Sequence, residues 1–190
     1  MAKTKEKSNP LGTVRRSIWY VLRTVLIVSL ILGGAFAVFT EGMYISNMYI
    51  IVTEGMALRA ETILNKGGEA DLTQYFTPEF IESDEAIQQN PYTDYAVDNF
   101  DYRYSIKGIR VLPWAKTGSV AYIERIPIIS ASPISDEVTS PVPAWVPMFY
   151  RVHLVKQDGR WLISSLEVIE ESPAEEVRPT PDYSQLEGQS

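Results

Sequence analysis

The stretch FYRVHLVKQDGRWLISSLEV, residues 149–168, decides the fold class. Both halves are rich in β-branched and aromatic residues, and they flank Asp158-Gly159, a dipeptide suited to the two positive-φ positions of a tight hairpin turn. Pairing outward from a two-residue turn sets Gln157 against Arg160, Leu154 against Ile163 and His153 against Ser164. Val152, Leu154, Trp161 and Ile163 then share one face. Arg151, His153 and Val155 share the other, opposite Leu162, Ser164 and Leu166. Neither face is purely apolar, so the alternation leaves open which one turns inward. His153 is the only histidine of the chain.

Upstream of the hairpin the period is also two. In NFDYRYSI, Phe100, Tyr102, Tyr104 and Ile106 point one way and Asp101, Arg103 and Ser105 the other, as in a half-buried strand. SVAYIERIPII reads as the next strand and AWVPMFYRVHLVK as the third, with Pro147 marking an edge or a bulge because proline cannot donate to the ladder. Between them, SASPISDEVTSPVP (130–143) reads as a long loop rich in proline and serine, a candidate partner-contact segment or a passive linker.

Further upstream the period lengthens. Ile45, Met48, Val52, Met56, Ala60 and Ile63 follow steps of three and four, which predicts an amphipathic helix over 45–66 with one buried stripe, ended by Gly67-Gly68. Asp71 is placed to cap a short helix in DLTQYF. Thr77, Pro78 and Glu79 have the residue types of a helix start: a capping hydroxyl, a preset φ, and an acid at the positive end of the dipole. That helix is expected to run to Asn90-Pro91. Helices followed by antiparallel strands make the domain α+β.

The N-terminal part has another character. Residues 18–40, IWYVLRTVLIVSLILGGAFAVFT, are almost wholly apolar and reach the about 20 residues that a membrane-spanning helix needs. Arg23 lies where a long basic side chain reaches the head groups, beside Trp19 and Tyr20 at the interface. Lys3, Lys5, Lys7, Arg15 and Arg16 precede the span, whereas Glu41 and Glu54 follow it. This asymmetry predicts a cytoplasmic basic segment (1–17), a transmembrane helix (18–40) and an extracytoplasmic domain (41–169). A cleaved signal peptide is the competing reading, since Ala35-Phe36-Ala37 resembles a cleavage site, but the apolar run continues through Val38 and Phe39. Residues 170–190 are acidic and proline-rich with few apolar side chains, and are expected to form a disordered tail.

Composition narrows the chemistry. The net charge of −7 argues against a nucleic-acid partner. No cysteine is present, so disulfides, thiol nucleophiles and cysteine-rich metal sites are excluded; with one histidine, no metal site and no cofactor is expected.

The amphipathic first helix, LTQYFTPEF and the strands ending in HLVKQDGRWLISSLEV together resemble the nuclear transport factor 2-like superfamily, over roughly residues 43–169. The resemblance implies a cone-shaped domain in which a curved antiparallel sheet wraps around helices. It includes ketosteroid isomerase-like and SnoaL-like enzymes, in which the cone encloses a pocket with an Asp or His base and a Tyr or protonated Asp as oxyanion donor. Here Asp101, Tyr102, Tyr104 and His153 are the pocket candidates, with Glu167 also available. No carboxylate is expected beside His153, and a base needs an orienting partner. Tyr92, Tyr95 and Trp145, outside the alternating run, are candidates for partner contact. The layout is also similar to that of bacterial membrane proteins carrying such a domain outside, as in secretion and conjugation machines.

The expectation is therefore a non-enzymatic, single-pass binding or scaffolding protein of a bacterial membrane assembly, with protein partners or further copies of itself. A small-molecule or lipid-binding ectodomain and a ketosteroid isomerase-like enzyme are the alternatives.

Overall fold

The computed structural model describes residues 10–64 and 71–175. A single helix, α1 (Pro10–Leu64), carries both the apolar run and the amphipathic stripe without a break. From Ile18 to Phe39 its large apolar side chains are all exposed, and the helix is long and apolar enough to cross a membrane. From Met48 onward the stripe is covered: Met48, Val52, Met56, Ala60 and Ile63 are at most 1% exposed, while Ile45, its first expected member, stays at 38%. The predicted Gly67-Gly68 cap lies outside the described residues.

A 3₁₀ turn (Leu72–Gln74) follows, with Asp71 accepting from the Thr73 N–H. Helix α2 (Pro78–Ser83) starts as expected: the Thr77 hydroxyl accepts from the Phe80 N–H at 3.3 Å, and Pro78 occupies the first turn. The helix does not run through to Asn90. Asp84 ends α2 in extended conformation and caps a separate α3 (Glu85–Gln88) by accepting from the Ala86 N–H. Removing the buried Thr77 cap (Thr77→Ala) is expected to lower stability by about 1 kcal/mol, read from urea midpoints. An unchanged midpoint would mean that the backbone bond from Phe80 to the Thr77 carbonyl suffices.

Six strands follow: β1 (Tyr95–Phe100), β2 (Arg103–Val111), β3 (Thr117–Arg125), β4 (Ile129–Pro133), β5 (Met148–Gln157) and β6 (Arg160–Glu171). β2-β3-β5-β6 form one antiparallel sheet, and β1 pairs with β4 in a separate ribbon. Two expected strands are thus each divided. NFDYRYSI breaks at Asp101-Tyr102, where the Asp101 N–H turns to the Ile128 carbonyl, and SVAYIERIPII breaks around Pro127, which has no N–H for a ladder. The start of the expected 130–143 loop is strand, since β4 pairs Tyr95 with Pro133 and Phe100 with Ile129. Pro147 stands just before β5, and β6 carries Glu170 and Glu171 as strand rather than tail. Residues 176–190 lie outside the described residues.

The hairpin turn forms at Asp158 (φ 49°) and Gly159 (φ 83°), with Gln157 opposite Arg160. Tyr150, Val152, Leu154, Trp161 and Ile163 face inward onto α1, in a core shared with Phe76, Phe80, Val120 and Tyr122. Gly55 lets α1 come close enough that a β-carbon there would lie 2.9 Å from the Tyr75 Cβ and 3.1 Å from the Ile163 Cδ1. The Ile163 backbone bonds outward to Tyr75 and Thr77, so this part of the β6 edge is capped by the segment leading into α2.

Candidate functional site

Burial next to α1 brings three ionisable side chains together. Arg59 continues the helical stripe at three residues beyond Met56, and Glu124 follows Val120 and Tyr122 on the inward face of β3. Asp84 is supplied by the α2–α3 junction. The Arg59 guanidinium binds Asp84 through two bonds, Nε to Oδ2 at 2.5 Å and Nη2 to Oδ1 at 3.0 Å, and its Nη1 lies 3.9 Å from Glu124 Oε1. Arg59 is 5% exposed and Glu124 fully buried. The cluster joins α1, the α2–α3 junction and the sheet at one point.

Burial raises the Glu124 carboxyl to about 7, against the opposing pull of Arg59. Neither Glu124 oxygen completes a hydrogen bond, although the Trp145 indole and Tyr102 hydroxyl lie near enough to favour the anion. For Arg59, burial opposes the charge, but Asp84 and Glu124 outweigh it, so the guanidinium stays protonated. The neighbouring Tyr102, Tyr122 and Tyr150 hydroxyls are raised by burial first, with Glu124 adding to it. A carboxyl titrating near neutrality beside tyrosine hydroxyls has the components of an acid–base site. The Glu124 oxygens are closed off from solvent, and Glu124 does not line the depressions beside Ile109, Trp145, Trp161 and Tyr75.

The four pocket candidates do not converge. Tyr102 bonds to Tyr122 hydroxyl-to-hydroxyl at 2.8 Å beside the cluster. Tyr104 stacks on Tyr122 with ring centroids 5.7 Å apart and is half exposed at the sheet edge. Asp101 pairs with Arg103 at 2.6 Å near the surface. His153 lies on the opposite face from Val152 and Leu154, in partial contact with solvent.

One expectation about His153 is corrected. A bulge between His153 and Leu154 places Ser165, not Ser164, opposite His153, and the Ser164 hydroxyl donates to the His153 carbonyl. The one-residue slip brings Glu167 opposite Arg151, where it accepts from Arg151 Nη1 at 2.9–3.0 Å and lies 3.2 Å from His153 Nε2. His153 therefore does have a carboxylate beside it. The pairs with His153 and Arg151 hold the Glu167 carboxyl below its usual range. The trio is an exposed cross-strand charge cluster on the sheet face opposite Val152 and Leu154.

The partner-contact candidates are largely interior. Tyr92 is 2% exposed and stacks on Trp145 at 6.4 Å, and Tyr95 is 4% exposed. The Tyr95 hydroxyl bonds at Ser140 and Pro141, which ties the 130–143 segment to the domain. Trp145 keeps partial exposure and lines a groove of about 500 Å³ together with Arg125, Ile129 and Pro143.

Comparison of the chain with protein-family models, with characterised proteins and with solved structures finds no match. The structure shows an α+β domain on one long, apolar N-terminal helix.

Proposed function

We propose that this is a single-pass bacterial membrane protein whose nuclear transport factor 2-like domain lies outside the cell membrane and acts by binding or scaffolding rather than by catalysis. The observation that carries the reading is the closure of the interior around Arg59, Asp84 and Glu124 among the described residues. The titratable groups that the fold gathers are paired with one another and shielded from solvent, while the exposed groups stand on open sheet faces. The basic N-terminal flank supports the orientation. A helix that continues from the span into the domain holds it beside the bilayer, which raises its local concentration against membrane partners. Pairing of two copies edge to edge through β6 is disfavoured, because Glu167, Glu170 and Glu171 line the part of that strand beyond the capped segment.

Crosslinking in intact membranes followed by affinity capture of the full chain is expected to recover defined partner proteins in fixed proportion. Recovery of the lone chain alone would reject scaffolding. The groove under Trp145 favours a second reading, a small-molecule or lipid-binding ectodomain; in that case capture brings down a ligand of the groove instead of a protein.

A further inference from the structure

We propose that the β2–β3 hairpin is a second membrane contact, its tip seated in the outer interfacial layer of the bilayer that α1 crosses and its flanking cations on phospholipid headgroups. This rests on the reading of α1 as a spanning helix. Four observations point to it. The Trp114 ring stacks on Phe36, with centroids 6.4 Å apart and planes 30° from parallel, although Phe36 belongs to the apolar run. That contact fixes the depth of the tip. Phe36 lies 17 residues beyond Trp19 on one continuous helix, about 26 Å at ~1.5 Å per residue, close to the ~30 Å of a hydrocarbon core. Trp19 and Tyr20 then form one aromatic belt, and Phe36 with Trp114 the other.

The tip is also apolar and, apart from the Phe36 contact, uncovered. Leu112 is 73% exposed and Trp114 61% exposed. The turn itself is unusual. The Ala115 N–H bonds back to the Leu112 carbonyl at 3.0 Å, and Pro113 and Trp114 occupy the two central positions, with Trp114 at φ 61°. A turn of this kind ordinarily places glycine where Trp114 stands, and a bulky L-residue rarely holds that conformation. Nothing in the domain core rewards the indole for it, whereas an aromatic belt does. Finally, Arg110 and Lys116 are exposed on either side of the tip, and Arg110 lines a shallow depression of about 410 Å³ with Ile109, Leu112 and Ala115. An apolar wedge between two cations matches the acyl-to-phosphate boundary of an anionic bilayer.

The chain has no cysteine, so Leu112→Cys accepts a single environment-sensitive fluorophore in the full-length protein. The labelled chain is reconstituted into phosphatidylcholine–phosphatidylglycerol vesicles that carry a nitroxide on shallow acyl positions. A label at the exposed Glu137→Cys, on the 130–143 segment, serves as the reference. The expected result is a blue-shifted emission at 112 and several-fold stronger nitroxide quenching there than at 137. Trp114→Gly, which suits the turn, is expected to lower the quenching at 112 without unfolding the domain. Equal, weak quenching at both positions places the tip in water and overturns the proposal. So does a blue shift without lipid quenching, which means contact with protein such as a second copy, or a Trp114→Gly variant that quenches like the parent. Flotation of the same vesicles after an alkaline wash separates the causes. A chain that floats while its tip stays wet removes only the hairpin contact; a chain that is stripped off removes the spanning reading and this contact with it.

Discussion

Replacing Arg59 with methionine is expected to destabilise the domain by about 3–5 kcal/mol, the usual effect of removing one partner from a buried ion pair. Arg59 is the only cation set between Asp84 and Glu124 among the described residues, and its side chain is 6% exposed against 7% and 0% for theirs. Methionine fills similar space but leaves both carboxyls in a low-dielectric interior without a counter-charge. Glu124, already easy to protonate, is expected to take up a proton, while Asp84 loses both guanidinium bonds and with them its tie to α1. Adding Glu124→Gln to the methionine variant should recover part of the loss, because the second uncompensated carboxyl is then gone. Lysine at 59 should recover less than arginine supplies, since an ammonium cannot reproduce the two parallel bonds to Asp84. Urea unfolding of the full chain in detergent micelles, followed by tryptophan emission, reads all of these. A methionine variant within about 1 kcal/mol of the parent would mean that apolar packing alone closes the interior.

The second large effect is on pH. In the unfolded chain Glu124 releases its proton near 4.5, and in the folded chain at about 7. Between those values the folded state holds more protons than the unfolded state, so stability falls as pH rises through the interval and levels off above it. The whole swing is about 3 kcal/mol, from the roughly 1.4 kcal/mol that each pH unit of difference represents. The sign is opposite to that of an ordinary salt-bridged carboxylate, which loses stability on acidification. Glu124→Gln is expected to remove this falling limb. If the parent is instead more stable at pH 8 than at pH 5, or the glutamine variant keeps the same slope, Glu124 is ionised in the fold at both values and Arg59 holds it more strongly than its burial opposes it.

The features that could be read in the sequence are those set by short-range geometry. The steps of three and four that join Met48 to Ile63 announced the face of α1 that meets the core, and Thr77-Pro78 announced the start of α2. Asp158-Gly159 announced the hairpin and its first pairs. The features missed depend on displacements of a single residue or on distant partners. A bulge beside Leu154 leaves no mark in an alternating pattern, yet it decides whether Glu167 reaches His153. Arg59 and Glu124 lie far apart in the chain, and neither belongs to a motif. A signal was nonetheless present: an arginine three residues beyond Met56 on the stripe, and a glutamate in phase with Val120 and Tyr122. Two opposite charges at positions that periodicity assigns to the interior imply each other. In the sequence, Tyr92 and Tyr95 stand beside polar loop residues and resemble a surface patch, and only the fold shows that Trp145 and the 130–143 segment cover them.

The uninterrupted course of α1 also fixes an angular relation. Each residue of an α-helix advances about 1.5 Å and turns the chain by roughly 100°. With no break between Thr40 and Met48, the azimuth of the domain about the axis of the apolar helical segment is set by the number of residues in between. Inserting one residue there would lift the domain slightly and swing it about a quarter-turn, carrying Trp114 off Phe36 toward another flank of the apolar segment. The linker thus works as a key cut to one phase, and its length carries as much information as its composition.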